Sequence, residues 1–274
     1  KRVGHAGTLD PDATGVLLVG LGQATRLLQF LSGLPKRYQA EVVLGVSTTT
    51  LDAAGDVTAT FDMGAVSVEE ARAAAVAFAG DISQVPPMVS ALKVGGRRLH
   101  ELAREGVEIE RAPRRVSVTR FDVGLAGPGD HGLVLAIDVE CSTGTYVRSL
   151  AADLGAALGG GAHLRNLRRL AVGTFVVEQA VSVEVLASAP DPARALMSPD
   201  GALARAGLGR AVVDQDLADA VAHGKVLPVA VLRTAGAAGA GPWAVVSEES
   251  TLLAVYQAHR DEQAKPVVVL SSPR

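Results

Sequence analysis

The segment Gly4-His5-Ala6-Gly7-Thr8-Leu9-Asp10-Pro11-Asp12-Ala13-Thr14-Gly15 is where this chain most plainly prepares for chemistry. Small and turn-forming residues surround His5 and Asp10, just ahead of an apolar run. Pro11 drives Asp10 towards extended backbone and away from a helix. A carboxylate held on such a loop beside a sheet can serve as a nucleophile or a base. Asp10-Pro11 also reads as a plain turn start. A second candidate is Gly144-Thr145-Tyr146-Val147-Arg148, placed between a strand and a helix. An arginine there can pair with a buried carboxylate and orient it, or simply project into solvent from a first helical turn.

Charge adds a third signal. Eight basic residues (Lys93, Arg97, Arg98, Arg104, Arg111, Arg114, Arg115 and Arg120) face four glutamates over the same stretch. His163-Leu164-Arg165-Asn166-Leu167-Arg168-Arg169 forms a second basic cluster. Such local positive zones suit phosphate tracking, although charged stretches are commonly solvated faces. Gly20-Leu21-Gly22 lacks the remaining residues of a dinucleotide or phosphate loop. His100, His163, His223 and His259 show no paired metal-ligand spacing, so no metal is expected.

The elements that must position these groups follow from pattern. Residues 15–20 read as a short buried strand between glycines. A helix is expected over 23–31, and a strand over 38–46 with Tyr38, Ala40, Val42, Leu44 and Val46 on one face. Ser67 caps a helix running to 79, with Glu69 and Glu70 in its first turn. Strands over 115–123 and 133–141 flank a turn-rich connection, a helix spans 146–158, and 172–177 is a further strand. Together these predict an α+β fold with a mixed, mainly antiparallel central sheet and flanking helices. The clusters Ala-Ser-Ala-Pro-Asp-Pro and Ser-Pro-Asp-Gly mark a boundary near 183–200. Beyond it, strands over 226–231, 243–247, 252–257 and 266–270 describe a small β-rich module.

Composition bounds the function. The chain has 274 residues, 48% hydrophobic and 20% charged, with a formal net charge of −3. That is ordinary for a globular protein of one large or two modest domains. The single cysteine, Cys141, excludes an internal disulfide framework and a cysteine-rich zinc site, and fits a reducing compartment. No apolar run is long enough for a membrane span. The chain starts at Lys1, inside what reads as a motif, so upstream sequence is expected.

The loop Gly4–Gly15 resembles the signature of the TruB family of tRNA pseudouridine synthases. The similarity continues, in the family's order, through Gly22-Gln23-Ala24-Thr25-Arg26, Lys36-Arg37-Tyr38, Gly80-Asp81-Ile82-Ser83-Gln84-Val85-Pro86-Pro87 and Ser90-Ala91-Leu92-Lys93. It reaches Ala103-Arg104-Glu105-Gly106, Gly144-Thr145-Tyr146-Val147-Arg148-Ser149-Leu150 and Leu167-Arg168-Arg169. The resemblance covers about residues 1–180. It implies the pseudouridine synthase fold over 1–184, an RNA-gripping insertion near 83–114, and a PUA-like RNA-binding module over 185–274. It implies isomerisation of uridine 55 in the tRNA T-loop, with Asp10 as catalytic aspartate, Tyr38 as active-site tyrosine and Arg148 as the partner of the aspartate. His5 matches a histidine beside the flipped uridine, and Tyr146 and Leu167 match the base pocket. Arg26, Lys93, Arg98, Arg114 and Arg115 are the expected RNA contacts. No cofactor, metal, membrane or protein partner is expected; the chain should act as a cytoplasmic monomer on the T-stem-loop.

The chain departs from the family in three places. It lacks an N-terminal segment with a Lys-Pro motif, has His100 where tyrosine is common, and has Arg26 where lysine is common. Two readings of other classes stand beside the enzyme: a non-catalytic T-loop-binding tRNA folding factor, and a carboxylate glycosidase acting on free nucleosides. The joint presence of Asp10, Tyr38 and Arg148 favours catalysis over mere binding, and the glycosidase leaves the basic insertion without a role.

Overall fold

A computed structural model describes residues 2–90, 92–107 and 109–270. The chain divides into two compact units, one of Thr8–Val16 with Gly33–Glu178, the other of Lys1–Gly7, Leu17–Ser32 and Gln179–Arg274. The division therefore differs from a single cut near residue 184, because two N-terminal segments group with the C-terminal residues.

A seven-stranded sheet organises the first of these units. Its order is Phe175–Val176, Ala162–Val172, Lys36–Leu44, Leu133–Cys141, Arg114–Pro128 and Gly80–Gln84, all antiparallel. The two-residue strand Thr14–Gly15 joins Ala162–Val172 in parallel. The expected mixed, mainly antiparallel sheet with flanking helices is thus the observed one. Alternation sets its two faces. Ala40, Val42 and Leu44 point into a core shared with Leu135, Ile137 and Val139, covered by Val147, Leu150, Ala151 and Leu154 of helix Val147–Ala157 and by Ala71 and Ala75 of helix Val68–Ala75. Each large aliphatic side chain so buried contributes about 1.5–3 kcal/mol. Residues of opposite parity form polar pairs, such as Arg37 donating to both oxygens of Asp138 at 2.9 and 2.8 Å.

Local sequence explains the covering helices. Ser67 accepts from the Glu70 amide at 3.2 Å while the Glu70 carboxylate accepts from the Ser67 amide at 2.8 Å. This reciprocal cap satisfies two otherwise orphaned donors. The α-helix ends at Ala75 and continues as a 3-10 turn, Val76–Phe78. Helix Val147–Ala157 approaches strand Ala162–Val172 closely at Gly155, where a Cβ would lie 2.5 Å from the Ala162 nitrogen.

Three expectations need correction. The run 15–20 is not one buried strand: Thr14–Gly15 and Val19–Leu21 pair with different partners, and Leu17 and Val19 are exposed. Gly15, at φ +107°, turns the chain between them. Of the basic stretch 163–169, Arg165 and Arg168 are exposed as a charged cluster requires, but Arg169 is buried within strand Ala162–Val172. The expected strand 226–231 is only Leu227–Pro228, after which Pro228 caps helix Val229–Thr234.

In the other unit, strands Gly209–Val213, Trp243–Ser247, Leu252–Ala258, Gln263–Val269 and Leu227–Pro228 form a five-stranded sheet in that order. Trp243 and Tyr256 anchor its core, their polar atoms satisfied by the carbonyls of Ala238 at 2.9 Å and Lys225 at 2.8 Å. Leu27 packs with Leu203, Ala244, Val246 and Val268. The strand Val3–His5 pairs antiparallel with Val19–Leu21. Among the described residues, no helix is long and apolar enough to cross a membrane.

Candidate active site

Helix Val147–Ala157 places Arg148 in its first turn, and the start of that turn is fixed from outside. Buried Gln84, the last residue of strand Gly80–Gln84, donates to the Tyr146 carbonyl at 3.2 Å and accepts from the Tyr146 amide at 3.0 Å. Arg148 is only 6% exposed. Its Nε lies 2.9 Å from one Asp10 oxygen, and a terminal nitrogen donates to the other at 3.0 Å. This two-point contact fixes the orientation of the carboxylate as well as its position. The remaining donors reach the carbonyls of Thr50 and Val89, each at 3.0 Å, and the carboxylate of Asp52 at 3.3 Å. Asp10 keeps about a third of its side chain, 34%, open to solvent, so it is braced from behind and accessible in front.

Asp52 shares Arg148 and is braced in turn by Thr50 Oγ1 at 2.5 Å and by the Ala54 amide at 3.1 Å. The residue before it, Leu51, has φ +62°, a conformation that a bulky side chain adopts only where its surroundings impose it. Its carbonyl accepts from the Leu164 amide at 3.0 Å and the Ala53 amide donates to the Leu164 carbonyl at 2.9 Å, so the sheet supplies that constraint.

Tyr38, half-buried on strand Lys36–Leu44, completes the group. Burial pushes its phenol above the usual tyrosine range; a hydrogen bond and the positive charge of Arg169 oppose the rise, while Cys141 and Asp10 add to it. Tyr38 is therefore a neutral phenol at neutral pH, a hydrogen-bond donor with an aromatic face. Arg169 is 1% exposed. Its Nε donates to the Val16 carbonyl at 2.6 Å and a terminal nitrogen to the Thr8 carbonyl at 3.3 Å.

The structure thus brings together Asp10, Tyr38 and Arg148, with Tyr146 at the cap of the Arg148 helix and Leu167 half-buried against the same core. Arg114 and Arg115 are exposed at the start of strand Arg114–Pro128, opposite Gln84 and Ser83. His5 and Arg26 belong to the other unit; His5 is exposed on its strand, and Arg26 donates to the Val269 carbonyl at 2.6 Å. Lys93 and Arg98 lie on paired two-residue strands, and their side chains, like that of His100, fall outside the described residues. Sequence reasoning misses Asp52 altogether, and it finds Arg169 and Gln84 only as members of motifs, with no part in the site. Asp52 follows three threonines in an unremarkable turn, and Arg169 was counted as surface charge.

Two carboxylates, Asp10 and Asp52, are thus gripped by one buried arginine, with a neutral phenol within electrostatic reach of Asp10. Comparison with known proteins supplies the class. Residues 1–147 match the TruB family pseudouridylate synthase N-terminal domain, and residues 148–199 match the tRNA pseudouridylate synthase B C-terminal domain. Similar proteins named tRNA pseudouridine synthase B include one from Rhodococcus jostii (strain RHA1), 42% identical over 98% of this chain and 85% of its own length. Another, from Arthrobacter sp. (strain FB24), is 41% identical over 99% of this chain and 88% of its own length. A solved Cbf5-Nop10-Gar1 complex aligns with TM-score 0.67 and 26% identity, covering 98% of this chain and 75% of the matched one. The chain belongs to the TruB family of pseudouridylate synthases.

Proposed function

We propose that this chain isomerises uridine to pseudouridine in tRNA, acting on position 55 of the T-loop. The observation that carries this reading is the two-point grip of buried Arg148 on the half-open Asp10 carboxylate, with Tyr38 within electrostatic reach. The reaction breaks the bond from C1′ to N1 of the base and forms one from C1′ to C5; C5 gives up a proton and N1 takes one. The electrons balance within the nucleoside. Asp10 is the group that meets the nucleoside, either at the base or at the sugar. Arg148 holds that carboxylate in one orientation. Tyr38, as a neutral phenol, offers its ring as a stacking face and its hydroxyl as a proton donor.

The base must leave its stack to reach Asp10, at a cost of a few kcal/mol. Stacking on Tyr38, and contacts that we assign to Tyr146 and Leu167, offset that cost; His5, on the other unit, is assigned to the RNA without a place in this pocket. Exposed Arg114 and Arg115, with Lys93, Arg98 and Arg26, are assigned to the phosphate backbone of the T-stem-loop. The C-terminal residues are read as a PUA-like RNA-binding module. We read the chain as acting as a monomer, since Asp10, Tyr38 and Arg148 all belong to it, and its tRNA substrate points to the cytoplasm. The test is incubation of an unmodified tRNA transcript with the full chain, followed by mapping of pseudouridine. Product at position 55 supports the reading; tight binding of tRNA without product overturns it in favour of a folding factor.

A further inference from the structure

Arg169 has no role in the chemistry described so far, yet among the described residues of its unit it is the most deeply buried charged one, at 1% exposure. Burying a guanidinium is costly unless its donors are used. Its Nε reaches the Val16 carbonyl at 2.6 Å and a terminal nitrogen reaches the Thr8 carbonyl at 3.3 Å. Thr8 and Val16 are the two ends of the segment that carries Asp10. One planar side chain thus closes the loop from both sides. Its main chain does the same, because the Arg169 carbonyl accepts from the Val16 amide at 2.9 Å. Gly15 sits so close that a Cβ there would lie 2.1 Å from the Arg169 carbonyl oxygen.

The same guanidinium hydrogen bonds to the Tyr38 phenol. A guanidinium can only donate, so the phenol oxygen accepts. The phenol's own proton is then directed away from Arg169. Arg168 next door shows the contrast: it is exposed and donates to Thr14 Oγ1 at 3.1 Å.

We propose that Arg169 is a positioning residue of the site: its buried fork fastens both ends of the Asp10 loop and the Tyr38 oxygen into one rigid set, leaving the Tyr38 proton free for the substrate. The proposal rests on the pseudouridine synthase reading. Only arginine offers donors in a fixed planar array; a lysine at this position is a point charge that cannot reach three acceptors at once.

The test uses Arg169→Lys and Arg169→Met in the full chain, with an unmodified tRNA transcript. Single-turnover rate at saturating enzyme, tRNA Kd, amide hydrogen exchange and a cycle with Tyr38→Phe are measured together. Misplacing reacting groups by about 1 Å costs about 100-fold in rate. The expected result for Arg169→Lys is a loss of about that size, with Kd within threefold and faster exchange at the amides of Ala13 and Val16 but not at Val42 or Leu135. Because part of the effect passes through the phenol, the same substitution costs less in the Tyr38→Phe background. A Lys variant within threefold of the parent rate overturns the proposal. So does a Kd that weakens in step with the rate, lost protection throughout the sheet, or costs that simply multiply in the cycle. If Arg169→Met does not fold, Arg169→Lys decides alone. If the unmodified chain makes no pseudouridine, the functional reading has failed instead, and loop exchange still reports whether Arg169 closes the loop.

Discussion

Replacing Arg148 with lysine keeps the charge and removes the fork, so it asks how much of the site depends on geometry. Arg148 spans two oxygens of Asp10, one of Asp52 and two main-chain carbonyls at 2.9–3.3 Å. An ammonium group projects all its donors from one atom and cannot reach acceptors on opposite sides of a guanidinium plane. At least two charge-assisted hydrogen bonds are lost. Each is worth about 1.5–3 kcal/mol, and the partial exposure of Asp10 and Asp52 points to the lower end. A loss of about 3 kcal/mol expressed in the transition state is about a 100-fold drop in rate. The same loss expressed in stability lowers Tm by roughly 6–12 °C in a chain of this size. Single-turnover conversion of unmodified tRNA at saturating enzyme measures the first, and thermal unfolding followed by circular dichroism measures the second. Arg148→Met should be worse on both counts, because Asp10 and Asp52 lose their shared counter-charge. If Arg148→Lys turns over within threefold of the parent, the two-point grip does not govern the carboxylate, and the assignment of Asp10 loses its geometric basis.

Three further outcomes follow from the site and its surroundings. Asp10→Asn removes the reactive carboxylate at nearly constant shape; pseudouridine should fall below detection while tRNA Kd, measured by filter binding, stays within threefold. Arg114→Ala combined with Arg115→Ala should weaken tRNA binding and reduce the slope of log Kd against log salt by roughly one unit or more, and an unchanged slope removes these residues from the RNA surface. Burial, with help from the charge of Arg169, lowers the Lys36 ammonium to about 8 from 10.5. Between those values the unfolded chain binds the extra proton, so this residue's contribution to stability rises with pH from about 8 and is unfavourable below it. Lys36→Met should therefore stabilise the protein most near pH 7, with the gain shrinking towards pH 10 in urea titrations; a gain independent of pH contradicts the assignment.

Much of the fold was legible because local pattern and tertiary environment agree. Alternation through Tyr38, Ala40, Val42 and Leu44 marks a strand covered on one face, and Ser67 followed by Glu70 marks a helix start that the structure realises as a full cap. The hairpin over 114–141 announces itself through a turn-rich connection between two apolar runs. Strand Ala162–Val172 was illegible for a physical reason. Asn166 adopts φ +54° and the pairing register shifts twice, between Arg165 and Arg168 and again before Ala171. Those irregularities break the two-residue period and put arginines where alternation predicts apolar side chains. The parallel pairing of Thr14–Gly15 with Arg168 and Arg169 joins residues over 150 positions apart, which no local signal records.

The site divides along the same line. Asp10 stands out because a proline, glycines and a following apolar run constrain its loop; Arg148 stands out because it opens a helix whose other features are clear. Arg169 reads only as one member of a basic cluster because a buried arginine and a solvated one are the same letter, and only the fold shows that its partners include the carbonyls of Thr8 and Val16 and the Tyr38 phenol. That difference has a mechanistic consequence. Arg148 acts on carboxylates, so its influence includes charge, and neutralising Asp52 by Asp52→Asn weakens only one of its contacts. Arg169, through the partners described here, acts on dipoles, so its influence is mainly shape. A lysine at either position keeps the charge and discards the shape. Comparing lysine with methionine at each therefore separates the two contributions: the lysine–methionine gap should be wide at 148, where a counter-charge is needed, and narrow at 169, where the planar fork is what holds the loop. A wide gap at 169 would mean that its charge, acting on Tyr38 or the substrate, outweighs its grip on the loop.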